Sequence, residues 1–169
     1  CEAVKQTKEW HDLGYHVHTA INVSAKQLED NYFVAKLLEV LNTFHINPKY
    51  LIVEITESVF KNFRQVKKII SDLKANGIRF ALVDFGTVYS SFGVLKEDFI
   101  DMIKIDKSFI DDIPENNISS ILVSTMIRMG EDMELNMIAE GVEDSKQVEY
   151  LLQKGCKLGQ GYLFSRPIE

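Results

Sequence analysis

The sequence predicts a single α/β domain with parallel strands, and three features predict it. Short apolar runs rich in β-branched residues alternate with stretches carrying apolar residues at helical spacing, and the alternation continues to the end of the chain. Turn signals fall at the junctions: Asn47-Pro48, Asn76-Gly77 and Gly155. The 169 residues, 46% of them hydrophobic, are enough for one ordinary core and too few for two.

In chain order, Val17–Val23 reads as the first strand, and Ala25–Phe44 as an amphipathic helix. Asn47-Pro48 then introduces a strand at Tyr50–Ile55. Arg64–Asn76 places Val66, Ile69, Ile70 and Leu73 on one helical face and is stopped by Gly77. Arg79–Phe85 and Met102–Ile105 follow as strands, and Ile118–Glu131 as a helix. A strand at Asn136–Ala139, a helix at Ser145–Lys154 closed by Gly155, and a strand at Gly159–Phe164 complete the six strands. Strands alternating with helices predict parallel pairing through right-handed crossovers.

The 25 acidic and 19 basic residues give a net charge of -6, which argues against general attraction to a nucleic-acid polymer or an anionic membrane. A small anionic ligand in a local pocket is compatible with that charge. No apolar run reaches the roughly 18 to 20 residues of a membrane span, and no signal peptide opens the sequence, so a cytoplasmic setting is expected. Cys1 and Cys156 are expected as reduced thiols.

Nearly every strand ends in a polar or charged residue immediately after its apolar part. Asn22 ends the first, Glu54 and Glu57 the second, Asp84 the third, Lys104 and Asp106 the fourth, and Glu140 and Glu143 the fifth, while Gln160 lies in the last. In a parallel barrel all strand C-termini share one face, where (β/α) barrels build their active sites. A single acid after a strand is more often a helix N-cap or a solvated loop residue. Glu54 and Lys104 differ, because apolar neighbours flank each, and a charge inside a buried strand is costly unless paired or metal-bound. Asn, Glu and Asp oxygens form a hard donor set suited to Mg²⁺ or Mn²⁺, ions that would activate a water and neutralise a phosphodiester.

Other chemistries find less support. His11, His16, His18 and His45 share no ligand spacing and read as surface or packing residues. Ser90-Ser91 lacks the Gly-x-Ser-x-Gly elbow, and Gly86 and Gly93 do not have phosphate-loop spacing. Met126, Met129, Met133 and Met137 read as core fillers.

Taken in order, these segments resemble the motifs of the EAL cyclic-di-GMP phosphodiesterase family over nearly the whole chain. Asn22-Val23-Ser24-Ala25 is similar to that family's Asn-x-Ser strand end, and Glu54-Ile55-Thr56-Glu57-Ser58 matches its Glu-Ile-Thr-Glu motif. Asp84-Phe85-Gly86-Thr87 with Tyr89-Ser90-Ser91 resembles its Asp-Asp-Phe-Gly loop. Lys104-Ile105-Asp106, Ala139-Glu140-Gly141-Val142-Glu143 and Gln160-Gly161-Tyr162 with Arg166-Pro167 complete the series. The resemblance implies a TIM-type (β/α) barrel that binds cyclic di-GMP and, in active members, uses two Mg²⁺ or Mn²⁺ ions to open it to linear pGpG. It implies Asn22 and Glu54 as ligands of one metal and Asp84 of the other. Lys104 would orient the attacking water, and Glu140 would serve the metal site and act as general base. Glu143 would brace the loop after Asp84, Gln160 would contact the site from the last strand, and Glu57 and Asp106 would support substrate or loop.

The chain departs from the family pattern in three places. Val83 stands where the family has an aspartate bridging both metals, and an isopropyl group offers no lone pair. Val88 replaces a loop glycine, and a β-branched residue resists positive φ. The Glu-Ala-Leu motif and the first strands would lie before Cys1, so residues 1–169 are expected to be the C-terminal part of the domain and the barrel incomplete. The expectation is a degenerate EAL domain acting as a cyclic-di-GMP receptor or regulatory module, as a homodimer or linked to other signalling domains. A slow metal-dependent phosphodiesterase is the alternative, and an unrelated carboxylate-metal barrel enzyme a third reading.

Overall fold

The computed structural model describes residues 2–30, 32–87 and 92–167. Six strands are hydrogen-bonded in the order β1-β2-β3-β4-β5-β6, so each strand neighbours those before and after it in sequence. This is the singly wound order of a (β/α) barrel, with six strands present, as the sequence predicts. The chain divides into two compact units, Cys1–Ala81 with Ser91–Ile100 and Leu82–Ser90 with Asp101–Glu169.

In the first unit, helix α1 (Glu2–Asp12) precedes β1 (Thr19–Asn22) and buries Val4 and Thr7. The Thr7 and Thr19 hydroxyls lie 2.5 Å apart and join the two elements. The single helix expected over Ala25–Phe44 is instead two, α2 (Ala25–Leu28) and α3 (Phe33–Thr43). Ser24 caps α2 in a reciprocal box: its hydroxyl accepts from the Gln27 backbone N–H while the Gln27 side chain accepts from the Ser24 N–H at 2.9 Å. β2 (Leu51–Ile55) pairs in parallel with β1 in the register Asn22↔Glu54. Its alternation buries Leu51, Val53 and Ile55 on one face and leaves Ile52 and Glu54 on the other. Helix α4 (Phe63–Ala75) completely buries Val66, Ile70 and Leu73, each such side chain contributing about 1.5–3 kcal/mol.

β3 (Arg79–Phe85) runs from the first unit into the second with the bounds expected from sequence. In the second unit, β4 (Met102–Ile105) is buried along its whole length, Lys104 included. It leads through the short α5 (Lys107–Ile110) to α6 (Asn117–Asp132), then β5 (Asn136–Glu140), α7 (Ser145–Gln153) and β6 (Leu158–Gln160). β4 pairs with β5 and β5 with β6, both in parallel. Gly130 brings α6 against β5 so closely that an added Cβ would overlap the Met137 side chain. Met137 is therefore core as expected, whereas Met133 is 40% exposed at the end of α6.

The last strand stops at Gln160 rather than continuing to Phe164. Residues after it turn back, and the Leu163 N–H donates to the Val142 carbonyl at 3.1 Å. Cys156 is a buried free thiol whose pKa is raised by desolvation; Cys1 lies outside the described residues. No helix among the described residues is long and apolar enough to cross a membrane.

Candidate functional site at the strand ends

In the first unit, the parallel register sets Asn22 beside Glu54 on the face opposite the Val53 core. The Val23 N–H donates to the Glu54 carbonyl at 2.9 Å, extending the ladder past the strand end. Asn22 is exposed and Glu54 half-buried. Both side chains are oxygen donors on one surface, the chemistry a hard divalent cation prefers. Glu57 opens a 3-10 turn, Glu57–Asn62, directly after this pair and is half-buried.

In the second unit, Lys104 on β4 lies beside Ile138, and Glu140 is two residues further along β5 on the same face. The Lys104 Nζ reaches Glu140 Oε1 at 2.6 Å, with the side chains 6% and 21% exposed. Glu140 is in turn paired with Gln160 on β6. Gln160 also accepts at its backbone carbonyl from the Val142 N–H, at 3.0 Å. Three of the residues nominated by sequence thus share one face.

The loop after β5 is held from several directions. Gly141 takes φ +75°, and the space where its Cβ would stand holds the Lys107 stem, so the bend requires glycine. The Lys107 ammonium meets Glu143 Oε1 at 2.6 Å and Asp111 Oδ1 at 2.8 Å, and the hydrogen bonds it donates, to Asp111 first and then to Glu143, raise its pKa. Asp106 has a second role as N-cap of α5, accepting from the Ser108 N–H at 2.9 Å. Asp106, Lys107, Glu140, Glu143, Gln160 and Tyr162 line an open cavity of about 300 Å³.

Sequence reasoning missed two residues here, Lys107 and Gln147. Gln147, 4% exposed, accepts from the Glu143 N–H at 2.7 Å and donates to the Ile110 carbonyl at 2.9 Å. It thereby ties the Glu143 turn to α5. The Asp144-x-x-Gln147 capping box carried a local signal for it, but its burial depends on the distant Ile110.

At the end of β3, Val83 is 7% exposed and buried as an apolar residue. Asp84 follows with φ +57°, exposed, its carbonyl accepting from the Thr87 hydroxyl at 3.0 Å. Left-handed backbone at a non-glycine residue is uncommon and is tolerated best by Asp and Asn. Gly86 is forced by contact, since a Cβ there would come within 2.6 Å of the Phe109 ring. Val88, like Tyr89, Ser90 and Ser91, lies outside the described residues. No group of three or more His, Cys, Asp or Glu side chains among the described residues is placed to hold a metal ion.

A singly wound α/β domain with an ion-paired lysine and a carboxylate at its strand ends belongs among the (β/α) barrel proteins. Within that class, the chain belongs to the EAL domain family, whose model matches residues 2–167. It is 44% identical over 168 residues to the signaling protein YkoW of Bacillus subtilis, covering 99% of this chain and 21% of that one. It is 34% identical to the cyclic di-GMP phosphodiesterase PdeR of Escherichia coli, covering 99% of this chain and 25% of PdeR. The chain therefore spans about a fifth to a quarter of the length of these curated relatives.

Solved structures agree. The phosphodiesterase PaMucR in complex with c-di-GMP is 34% identical with a TM-score of 0.91, over 99% of this chain and 68% of that one. A manganese/cy-diGMP complex of Klebsiella pneumoniae BlrP1 is 31% identical with a TM-score of 0.89, over 98% and 42% respectively. The chain is thus an EAL domain related to cyclic-di-GMP phosphodiesterases.

Proposed function

We propose that this domain binds cyclic di-GMP at its strand ends and has lost rapid hydrolysis, acting as a receptor or regulatory module. The observation that carries the reading is Val83, a buried apolar side chain directly before Asp84, where the resemblance calls for a shared carboxylate ligand. Magnesium or manganese, for which Asn22, Glu54, Asp84 and Glu140 are the nominated donors, would supply Lewis-acid polarisation of the phosphate. Those oxygen donors suit a hard cation in chemistry.

The remaining polar groups retain work they can do without rapid turnover. Lys104 holds the Glu140 carboxylate in one orientation at 2.6 Å, presenting its oxygens to the strand-end face as hydrogen-bond acceptors. Gln160, Glu143 and Tyr162 line the adjoining cavity with hydrogen-bonding and aromatic surface suited to a guanine nucleotide. The retained Lys104–Glu140 pair also favours a second reading, a slow phosphodiesterase.

Calorimetric titration of cyclic di-GMP into the protein with Mg²⁺ or Mn²⁺, followed by chromatography of the same sample, separates the readings. Binding with the dinucleotide left intact supports the receptor. Formation of pGpG above the buffer blank supports the slow enzyme, and absence of binding rejects both.

A further inference from the structure

Four nitrogen-bearing side chains of the first unit gather around Tyr50 at the ends of the strands opposite Asn22 and Glu54, and Arg79 joins them at the Lys49 carbonyl. His18 immediately precedes β1, Lys49 and Tyr50 immediately precede β2, and Arg79 is the first residue of β3. The His11 ring meets Tyr50 edge-on at 4.5 Å between centroids, the His18 ring lies at 5.3 Å, and the His16 ring stacks at 6.3 Å. His11 and His16 also meet each other at 5.3 Å. The Lys49 ammonium sits 4.9 Å above the same Tyr50 ring.

The electrostatics of this cluster are one-sided. Desolvation lowers the His18 pKa first, and the charges that lower it further are Arg79, His11 and Lys49. Arg79 donates through Nη2 to the Lys49 carbonyl at 3.4 Å, yet its Nε is a buried donor that meets no acceptor. The domain as a whole carries a charge of -6, so this local gathering of cationic and imidazole groups is not a consequence of composition. A multivalent oxyanion would offset Lys49 and Arg79, give the Arg79 Nε an acceptor, and favour protonated His18.

We infer that the His11, His16, His18, Lys49 and Arg79 cluster around Tyr50 is a binding site for a phosphate-type oxyanion, whose occupancy is coupled to proton uptake by His18. The site is separate from the strand-end residues of the proposed cyclic-di-GMP reading and does not depend on it. Its linkage has a fixed sign. An anion that favours protonated His18 must, reciprocally, bind more tightly as the pH falls.

The test is to follow the histidine ring NMR signals of the full 169-residue chain during titration with inorganic phosphate, with sodium chloride at matched ionic strength as the reference. The expected result is saturable movement of the His11, His16 and His18 signals, with His45, which follows α3 outside the cluster, unmoved. Apparent affinity should be about threefold or more tighter near pH 5.5 than near pH 7.5. Exposed Lys49, changed as Lys49→Gln, should weaken binding severalfold without unfolding the chain, and Arg79→Lys provides a second variant that retains charge. Equal movement in chloride, non-saturating movement shared by His45, or affinity indifferent to pH would each overturn the assignment.

Discussion

Lys104 and Glu140 form a diagonal ion pair across two parallel strands, Nζ to Oε1 2.6 Å, with only 6% and 21% of their side chains exposed. Such a pair offsets the desolvation of both ions only while both partners are present. Removing one leaves a charge in a buried setting, so Lys104→Met and Glu140→Gln should each cost about 3 kcal/mol of stability. The double variant should cost clearly less than the sum, because neither charge then remains in the buried pair. Urea unfolding of the four proteins measures this coupling, and strict additivity would show that the two side chains act independently.

Gln147 and Lys107 both hold Glu143, but with unequal effect. Lys107 is about half exposed, as are Asp111 and Glu143, and ion pairs in that setting contribute about 0–1 kcal/mol. Gln147 is buried, and its side chain satisfies one backbone donor at Glu143 and one acceptor at Ile110. Its replacement by leucine leaves both groups without that partner, at about 1–3 kcal/mol each. Gln147→Leu should therefore lower Tm by several degrees, and Lys107→Met by less than about 3 °C. Thermal unfolding followed by circular dichroism would contradict this if the order were reversed.

What the sequence made legible follows from how local each signal is. The bounds of β3 and β4 are legible because their apolar residues, Phe80, Ala81, Leu82, Val83 and Phe85 in one and Met102, Ile103 and Ile105 in the other, are dense enough to mark a strand without a partner, despite Asp84 and Lys104. β6 was drawn too long because nothing local announces that the chain turns at Gly161 to hydrogen-bond Val142. The Ala25–Phe44 stretch keeps its apolar spacing across the break, so the split between α2 and α3 was hidden behind one periodicity. α1 went unread because it buries only Val4 and Thr7. At the site, Asn22, Glu54, Lys104, Glu140 and Gln160 were named from their positions after apolar runs. Gln147 could be located as a cap residue, but its burial against Ile110 is a tertiary fact.

His18 provides a pH dependence with a definite sign. Its folded pKa lies below 6.5, through desolvation first and then the charges of Arg79, His11 and Lys49. Below about pH 6.5 the unfolded chain therefore binds more protons at this position than the folded one, and stability falls as the pH drops toward the folded pKa. Above that window the residue contributes no slope. His18→Gln should flatten the decline in urea midpoint between about pH 7 and pH 5 relative to the parent. An unchanged profile would assign the decline to other groups. Added phosphate should also reduce the decline in the parent protein and do less in the Lys49→Gln variant, which links this slope to the proposed oxyanion site.

Val83 gives the sharpest test of the proposed loss of activity. It is 7% exposed in β3, so Val83→Asp places a carboxylate where only an apolar group is now accommodated. In the absence of divalent cations that charge should destabilise the domain by about 3 kcal/mol, the scale of an uncompensated buried ion. If the aspartate restores a metal ligand, Mn²⁺ should recover much of the loss, because an ion that binds only the folded state stabilises it in proportion to ln(1 + [L]/Kd). The parent should gain less from the same Mn²⁺ concentration. Hydrolysis of cyclic di-GMP to pGpG should rise in the variant above the parent rate, read by chromatography. Calorimetric melting with and without Mn²⁺ distinguishes the two ways this can fail. A Tm that Mn²⁺ does not restore means the position no longer faces a metal. Restored stability without pGpG would place the defect elsewhere in the site and leave the domain a receptor even with its carboxylate returned.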